Sequence, residues 1–396
     1  MASGADPLLP YLIDTDTTRA LLTEGFVRLP SVLSPEECDE ALDKMWDFVN
    51  IVSGDVVSRK NPETWYDNGS GVDPWPYTTR WSSFQDMFQT HHAGFLLPNI
   101  RVLLAERVFE PLIFGTRQLH CSKEGFTFLR PAMCPKGLVD SRRRKVGGIF
   151  VCGKLQSHSV GEHFDQGARR VGLHHIQSSV AFLDQSPETG SFLCWPRSHR
   201  YHQELVSHTY RGRNDWVPLN DEELGALKKN GCEPCRVYAQ KGDVILWRSD
   251  LVHAAAPPVC AETSCEHSGE TRRLFRAVSY CGMLPAEMSN TPGILERKLT
   301  AYLELKTGDH KADEESWHDM DPSGVGNQKK MSVRQTERRE PYYSNGPPLI
   351  TWREAELHGL VPYNSGPDEQ LRVMEKAIEK GLRLTDSATS SAGKKN

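Results

Sequence analysis

His163-Phe164-Asp165 sets an imidazole and a carboxylate two residues apart. On a β-strand, side chains at i and i+2 share a face, so the two groups would point the same way. Joined by a second histidine, they form the 2-His-1-carboxylate face that holds Fe(II) and leaves coordination positions open. The triplet alone carries little weight. With 15 histidines and 23 aspartates in 396 residues, about one His-x-Asp is expected by chance. His202-Gln203-Glu204 has the same form and competes with it.

Both pairs lie in one stretch of distinctive texture. Between Phe126 and Tyr280, short apolar runs are divided by Gly, Pro, Asp and Ser clusters: Phe126-Thr-Phe-Leu, Gly148-Ile-Phe-Val-Cys, Val180-Ala-Phe-Leu, Cys194-Trp and Val244-Ile-Leu-Trp. Many short strands with turn signals predict an antiparallel sandwich or barrel rather than βαβ units. Upstream, Glu24–Pro30 reads as a short extended piece. Ser34-Pro35-Glu36-Glu37 then combines an N-cap, a first-turn proline and a capping-box glutamate. Cys38, Ala41, Leu42, Met45, Trp46 and Val49 follow at helical spacing. Helix returns after Thr291-Pro292, with Leu295, Leu299, Tyr302 and Leu303 on one face. Thr351-Trp-Arg-Glu354 is a second capping box, and Leu371, Met374 and Ile378 mark a last amphipathic helix.

His163-x-Asp165 is followed by Asp184-Gln-Ser-Pro-Glu-Thr-Gly-Ser-Phe-Leu-Cys-Trp-Pro-Arg-Ser-His199. Further on stands Lys241-Gly-Asp-Val-Ile-Leu-Trp-Arg-Ser-Asp-Leu-Val-His253, and then Arg272-Arg-Leu-Phe-Arg-Ala-Val-Ser-Tyr280. In this order, with the Glu24–Val49 opening, the blocks resemble the phytanoyl-CoA dioxygenase family of Fe(II)/2-oxoglutarate oxygenases over residues 20–285. The resemblance implies a mainly β fold with flanking helices: a double-stranded β-helix, or cupin-like jelly roll. It carries the metal ligands, and with them catalysis, onto His163, Asp165 and His253. It carries the basic anchor of 2-oxoglutarate onto the arginine cluster, where Arg273 fits the spacing to Tyr280 best; Arg272 and Arg276 stay open, since a one-residue slip flips every side chain. Gln177, two after His175, is expected to line the cofactor site. The implied requirements are Fe(II), 2-oxoglutarate as cosubstrate, O2, and ascorbate as reductant. Halogenating relatives lack the carboxylate that Asp165 supplies, so its presence implies hydroxylation-type outcomes, with desaturation or ring closure as variants.

The chain departs from the family in places. Arg197 stands where a Pro-Gly-Ser-His turn is common, Ala254-Ala-Ala-Pro-Pro follows the distal histidine, and the loop from His253 to Arg273 is long. The expected organisation is an oxygenase domain with N-terminal helices over 1–285, a helical extension over 286–385 with a polar loop at 311–345, and a disordered tail at 386–396.

Composition narrows the partners. A net charge of −5, from 47 Lys and Arg against 52 Asp and Glu, supplies no cationic field for nucleic acid. No apolar run reaches the roughly 18–20 residues of a membrane span. No secretory signal is visible at Met1-Ala-Ser-Gly-Ala-Asp, so a cytoplasmic protein with reduced thiols is expected, acting on a small-molecule metabolite. Two rivals remain: the same chemistry on a modified nucleobase or protein side chain, with Arg142-Arg-Arg-Lys145 as a docking run, or a jelly roll that binds without turnover. Cys232, Cys235, Cys260 and Cys265 read as loop cysteines, with structural zinc as the alternative. His174, His175 and His199 read as hydrogen-bonded structural residues, and Trp247 as core. Oligomeric state is open.

Overall fold

The computed structural model describes residues 6–65, 79–82, 85–88, 98–129, 161–209, 217–256, 274–289, 293–303, 310–313, 349–363 and 367–385. Within them, the strands of the N-terminal part are β1 (Phe26–Leu29), β2 (Thr79–Ser82), β3 (Gln85–Phe88), β4 (Leu119–Cys121) and β5 (Phe126–Leu129). Next come β6 (His163–Phe164), β7 (Ile176–Ala181), β8 (Ser191–Cys194) and β9 (Val217–Pro218). Then follow β10 (Cys235–Val237), β11 (Val244–Arg248), β12 (His253–Ala256) and β13 (Arg276–Pro285). They form two antiparallel sheets. The eight-stranded one runs β1-β11-β7-β13-β5-β3-β2, with β4 also on β13; the five-stranded one runs β10-β8-β12-β6-β9. The run Gly148-Ile-Phe-Val-Cys lies outside the described residues.

The large sheet is covered on both faces, and its side chains sort with period two. Val244 and Leu246 of β11 join the core under the helices, with Trp46, Phe48, Phe126 and Phe128. Ile245 and Trp247 face the other way, into a cluster with Ala181, Phe192, Cys194 and Val237. Phe192 belongs to the small sheet and its ring sits 4.9 Å from Trp247, so the two sheets pack face to face. Double coverage explains why β7 and β11 are buried along their whole length. Each large apolar side chain so removed from water contributes about 1.5–3 kcal/mol.

Helix α1 (Pro35–Val52) begins as its sequence demands. The Ser34 hydroxyl accepts from the Glu37 amide, and the Glu37 carboxylate accepts from the Ser34 amide at 2.8 Å. Its apolar stripe lies on the large sheet, with Trp46 5.0 Å from Phe128. Helix α2 (His202–Thr209) overturns the competing site: His202 and Glu204 stand on a helix, where i and i+2 diverge. His202 is buried against the Gln166 carbonyl, and Glu204 is exposed.

In the C-terminal part, α3 (Ile294–Leu303), α4 (Trp352–Leu357) and α5 (Pro367–Glu379) join the parallel pair β14 (Ile350–Thr351) and β15 (Leu384–Thr385). The Thr351 capping box forms, since Thr351 accepts from the Glu354 amide and the Glu354 carboxylate from the Thr351 amide. Tyr363 donates to the Leu119 carbonyl at 2.6 Å, which ties this part to β4. One expectation needs correction. On α5, Leu371 and Ile378 are 50% and 48% exposed, and the helix docks instead through Ala377 with Val373 beside it. In the expected polar loop, Lys311 and Ala312 are buried at 4% and 3% exposure. The rest of that loop and the tail lie outside the described residues. Among the described residues, no helix is long and apolar enough to cross a membrane.

Candidate metal centre

Strand β6 is two residues long and lies between β12 and β9. Its register makes His163 the direct partner of His253 on β12. Directly opposed residues carry their side chains on one face about 4.5–5.5 Å apart, and the two imidazole centroids are 4.5 Å apart. Asp165 follows at i+2 on the same side. One carboxylate oxygen lies 3.5 Å from His163 Nε2 and the other 3.2 Å from His253 Nε2. The three ligand atoms all fall within 4.8 Å of one another, and no other such cluster occurs among the described residues.

Both imidazoles are oriented alike. His163 Nδ1 donates to the Gly161 carbonyl at 2.7 Å, and His253 Nδ1 to the Leu251 carbonyl at 3.0 Å. With the proton held at Nδ1, each Nε2 lone pair faces the centre. Gln177, on the inward face of β7, donates to Asp165 Oδ2 at 2.9 Å. Burial pushes the His163 imidazole down to about 4, with the neighbouring His253 adding to the shift. Burial pushes the Asp165 carboxyl up, but the imidazoles of His310, His253 and His163 outweigh it and hold the group well below the usual carboxylate range. At pH 7 His163 is therefore neutral and Asp165 ionised, the states in which each ligates a metal. A cation about 2.1 Å from donors on adjacent octahedral vertices needs those donors about 3 Å apart. The observed 3.2 and 3.5 Å fit it.

The wall of the centre is apolar with two orphaned polar atoms. Trp247 lies 5.3 Å from the His253 ring and is the cross-strand partner of Gln177. Trp247 Nε1 and Gln177 Oε1 are both buried without a hydrogen-bond partner among the described residues. Leaving such atoms unpaired costs about 1–3 kcal/mol each, which a bound polar ligand would recover. Trp247 thus belongs to the core and to the site at once.

Arg272 and Arg273 lie outside the described residues. Arg276 opens β13 and is buried. It shares a strand face with Val278 and Tyr280, and Tyr280 packs against the cluster between the sheets. Burial lowers the Arg276 pKa, and the neighbouring Tyr280 opposes it.

His174, His175 and His199 join no metal-type cluster among the described residues. His174 donates to the Val171 carbonyl, His175 pairs with Asp313 at 2.8 Å, and burial pushes His199 down to about 4. Cys232 and Cys235 join no metal-type cluster among the described residues; Cys260, Cys265 and Arg142–Lys145 lie outside them. Sequence reasoning missed two groups. Glu124, in the β4–β5 turn, is half-buried and accepts from the Ser122 hydroxyl at 2.8 Å. Burial, with Asp165 nearby, pushes its carboxyl up to about 7 against the pull of His310. His310 reaches the Asp165 carbonyl at 3.1 Å. Neither sits in a recognisable motif.

No protein-family model and no curated protein matches the chain. Among solved structures, HygX from Streptomyces hygroscopicus, with nickel, 2-oxoglutarate and hygromycin B bound, is 18% identical at a TM-score of 0.35. That match covers 69% of this chain and 88% of HygX. The epimerase SnoN, in complex with Fe3+, alpha-ketoglutarate and nogalamycin RO, is 17% identical at 0.36, covering 70% and 89%. AviO1 from Streptomyces viridochromogenes Tue57 is 13% identical at 0.35, covering 69% and 97%. Likenesses this low carry nothing over to this chain, so its site must be read from its own geometry.

Proposed function

We propose that this chain is an Fe(II)- and 2-oxoglutarate-dependent dioxygenase of the phytanoyl-CoA dioxygenase type, built on a double-stranded β-helix. It would oxidise an unactivated C–H bond of a small-molecule metabolite and release succinate and CO2. One observation carries the reading: two histidines from paired strands and an aspartate at i+2 turn their ligand atoms to a common point. That donor set fits Fe(II) and leaves one side open.

Iron(II), 2-oxoglutarate and O2 together supply an oxidant strong enough to remove hydrogen from carbon. The chain's part is positioning. His163, His253 and Asp165 hold the metal, and Gln177 pins one carboxylate oxygen so that it cannot swing away. Arg276 is the buried guanidinium on the inward face and supports the role of anchor for the far carboxylate of 2-oxoglutarate, which suits a bidentate partner. Arg273, expected from its spacing, is the alternative. Trp247 and Phe192 form a wall beside the His253 imidazole that would exclude water. The Trp247 N–H is placed to donate to an anionic or carbonyl oxygen there.

The deciding assay is substrate-dependent succinate formation with Fe(II), ascorbate and 2-oxoglutarate across a metabolite panel. Turnover that His163→Ala abolishes is the expected result. Succinate production that survives this substitution would remove the assignment.

A further inference from the structure

Asp165 stands one residue past the end of β6, so no sheet ladder holds its backbone. Two bonds hold the backbone instead, and a third holds the side chain. Its amide donates to the Ser249 carbonyl at 3.1 Å, its carboxylate accepts from Gln177, and its carbonyl accepts from His310 Nε2 at 3.1 Å. His310 comes from the C-terminal part of the chain.

The next residues follow the same loop. Asp313 accepts from Arg170 at 3.0 Å and from His175 at 2.8 Å, so residues 310–313 grip the 165–175 loop at both ends. The middle of this strap is held too, since Lys298 on α3 donates to the Ala312 carbonyl at 2.9 Å. Gly282 on β13 makes room for it: a Cβ there would stand 2.9 Å from the His310 carbonyl oxygen. Inside the loop, Gln166 donates to the carbonyls of Arg170 and Gly172 and accepts from the Ser249 hydroxyl. The loop is thus a rigid bracket, closed on its outer side by the strap.

We propose that His310 is a positioning residue for the metal face, acting through the Asp165 backbone to keep the carboxylate aimed at His163 and His253. This rests on the metal reading given above. His310 is not a ligand: it stands outside the group of donors that converge. Its N–H fixes the carbonyl of the one ligand that lacks strand support. Groups of this kind, next to a ligand and hydrogen-bonded to it, typically set metal affinity within a factor of about 10–100.

The test uses the full-length protein, stripped with a chelator and titrated with Co(II) by calorimetry while the visible Co(II) bands are recorded. His310→Gln keeps an N–H donor, and His310→Met matches it in size without one. His310→Met should weaken Co(II) binding about 10–100-fold and alter the bands, whereas His310→Gln should stay near the wild type. Both should melt within a few degrees of the wild type in the metal-free state, which separates positioning from folding. Gly282→Ala, which pushes on the strap without removing a polar group, should weaken binding to an intermediate degree. Equal affinities for His310→Met and wild type overturn the proposal, as do equally weak ones for Met and Gln. A wild-type protein that binds no Co(II) overturns the metal reading itself, and the strap's role with it.

Discussion

His163 and His253 are direct cross-strand partners, and each donates its Nδ1 proton to the carbonyl two residues before it. The symmetry means that one local device, repeated on β6 and β12, sets both imidazole rotations. Replacing either histidine by alanine should abolish Fe(II)-dependent succinate formation. The metal-free melting temperature should move little, because His163 is only partly buried on a two-residue strand and His253 opens β12 rather than filling its middle. Retained activity in either variant would show that the metal sits elsewhere.

Asp165 and Gln177 form the next pair to separate. Asp165→Ala should eliminate turnover or, by opening a coordination position, admit halide. Gln177→Leu leaves the carboxylate in place but unpinned, so a loss of about 10-fold or more in metal affinity is expected. Fe(II) titration followed by calorimetry distinguishes the two behaviours.

Arg276→Gln should raise the KM for 2-oxoglutarate by one to several orders of magnitude, since each charge-assisted hydrogen bond contributes roughly 1.5–3 kcal/mol. Fe(II) affinity should be unaffected. If the defect appears in Arg273→Gln and not in Arg276→Gln, the anchor comes from the segment preceding β13.

Arg197 adopts a left-handed backbone conformation, φ 69°. The conformation costs a non-glycine residue about 1–2 kcal/mol. Arg197 recovers part of this by donating to the Gly231 carbonyl at 2.9 Å. Arg197→Gly should therefore be neutral or stabilising by up to about 1 kcal/mol, and Arg197→Val clearly destabilising. Chemical denaturation of the three proteins gives the order directly; a Val variant as stable as Gly would contradict it.

Burial lowers the proton affinity of His120, His175 and His358, the last to about 4. The unfolded chain takes up these protons first, near pH 6.5, so folded stability is present above that pH and lost as pH falls. For His358 the loss continues down to about 4. Each group contributes up to about 1.4 kcal/mol per pH unit within its window. The melting temperature should drop between pH 7 and 5, and His358→Gln should make that slope shallower. A flat profile over this range would refute the argument.

Much of the centre was legible because a strand repeats every two residues, which makes His163-x-Asp165 meaningful once strands surround it. The distal His253 needed the order of the blocks, since nothing local distinguishes it from the other histidines. The arginine could not be settled from sequence. Its face depends on where β13 begins to pair with β5, and Arg276 opposite Leu129 is a tertiary fact. The competing His202–Glu204 pair fails because both residues stand on a helix, where i and i+2 diverge. On α5, Leu371 and Ile378 suggested the docking face, but contact with Tyr302 and Leu382 selects the side bearing Ala377. His310 lies in a polar stretch with no periodicity, and only the long-range approach to Gly282 and Asp165 gives it a place.

The edge strand β1 finds its partner in β11, pairing Phe26 with Trp247 and Leu29 with Val244. During synthesis the first must wait for roughly 200 further residues, or about 10–40 s at ordinary elongation rates. For that interval the nascent chain carries an unpaired apolar edge and the exposed stripe of α1. Ribosome-bound fragments ending before Val244 should therefore engage chaperones, and release should coincide with emergence of β11. Strand β13, which lies between β7 and β5, emerges later still, so the two halves of the large sheet join only once Pro285 has been made.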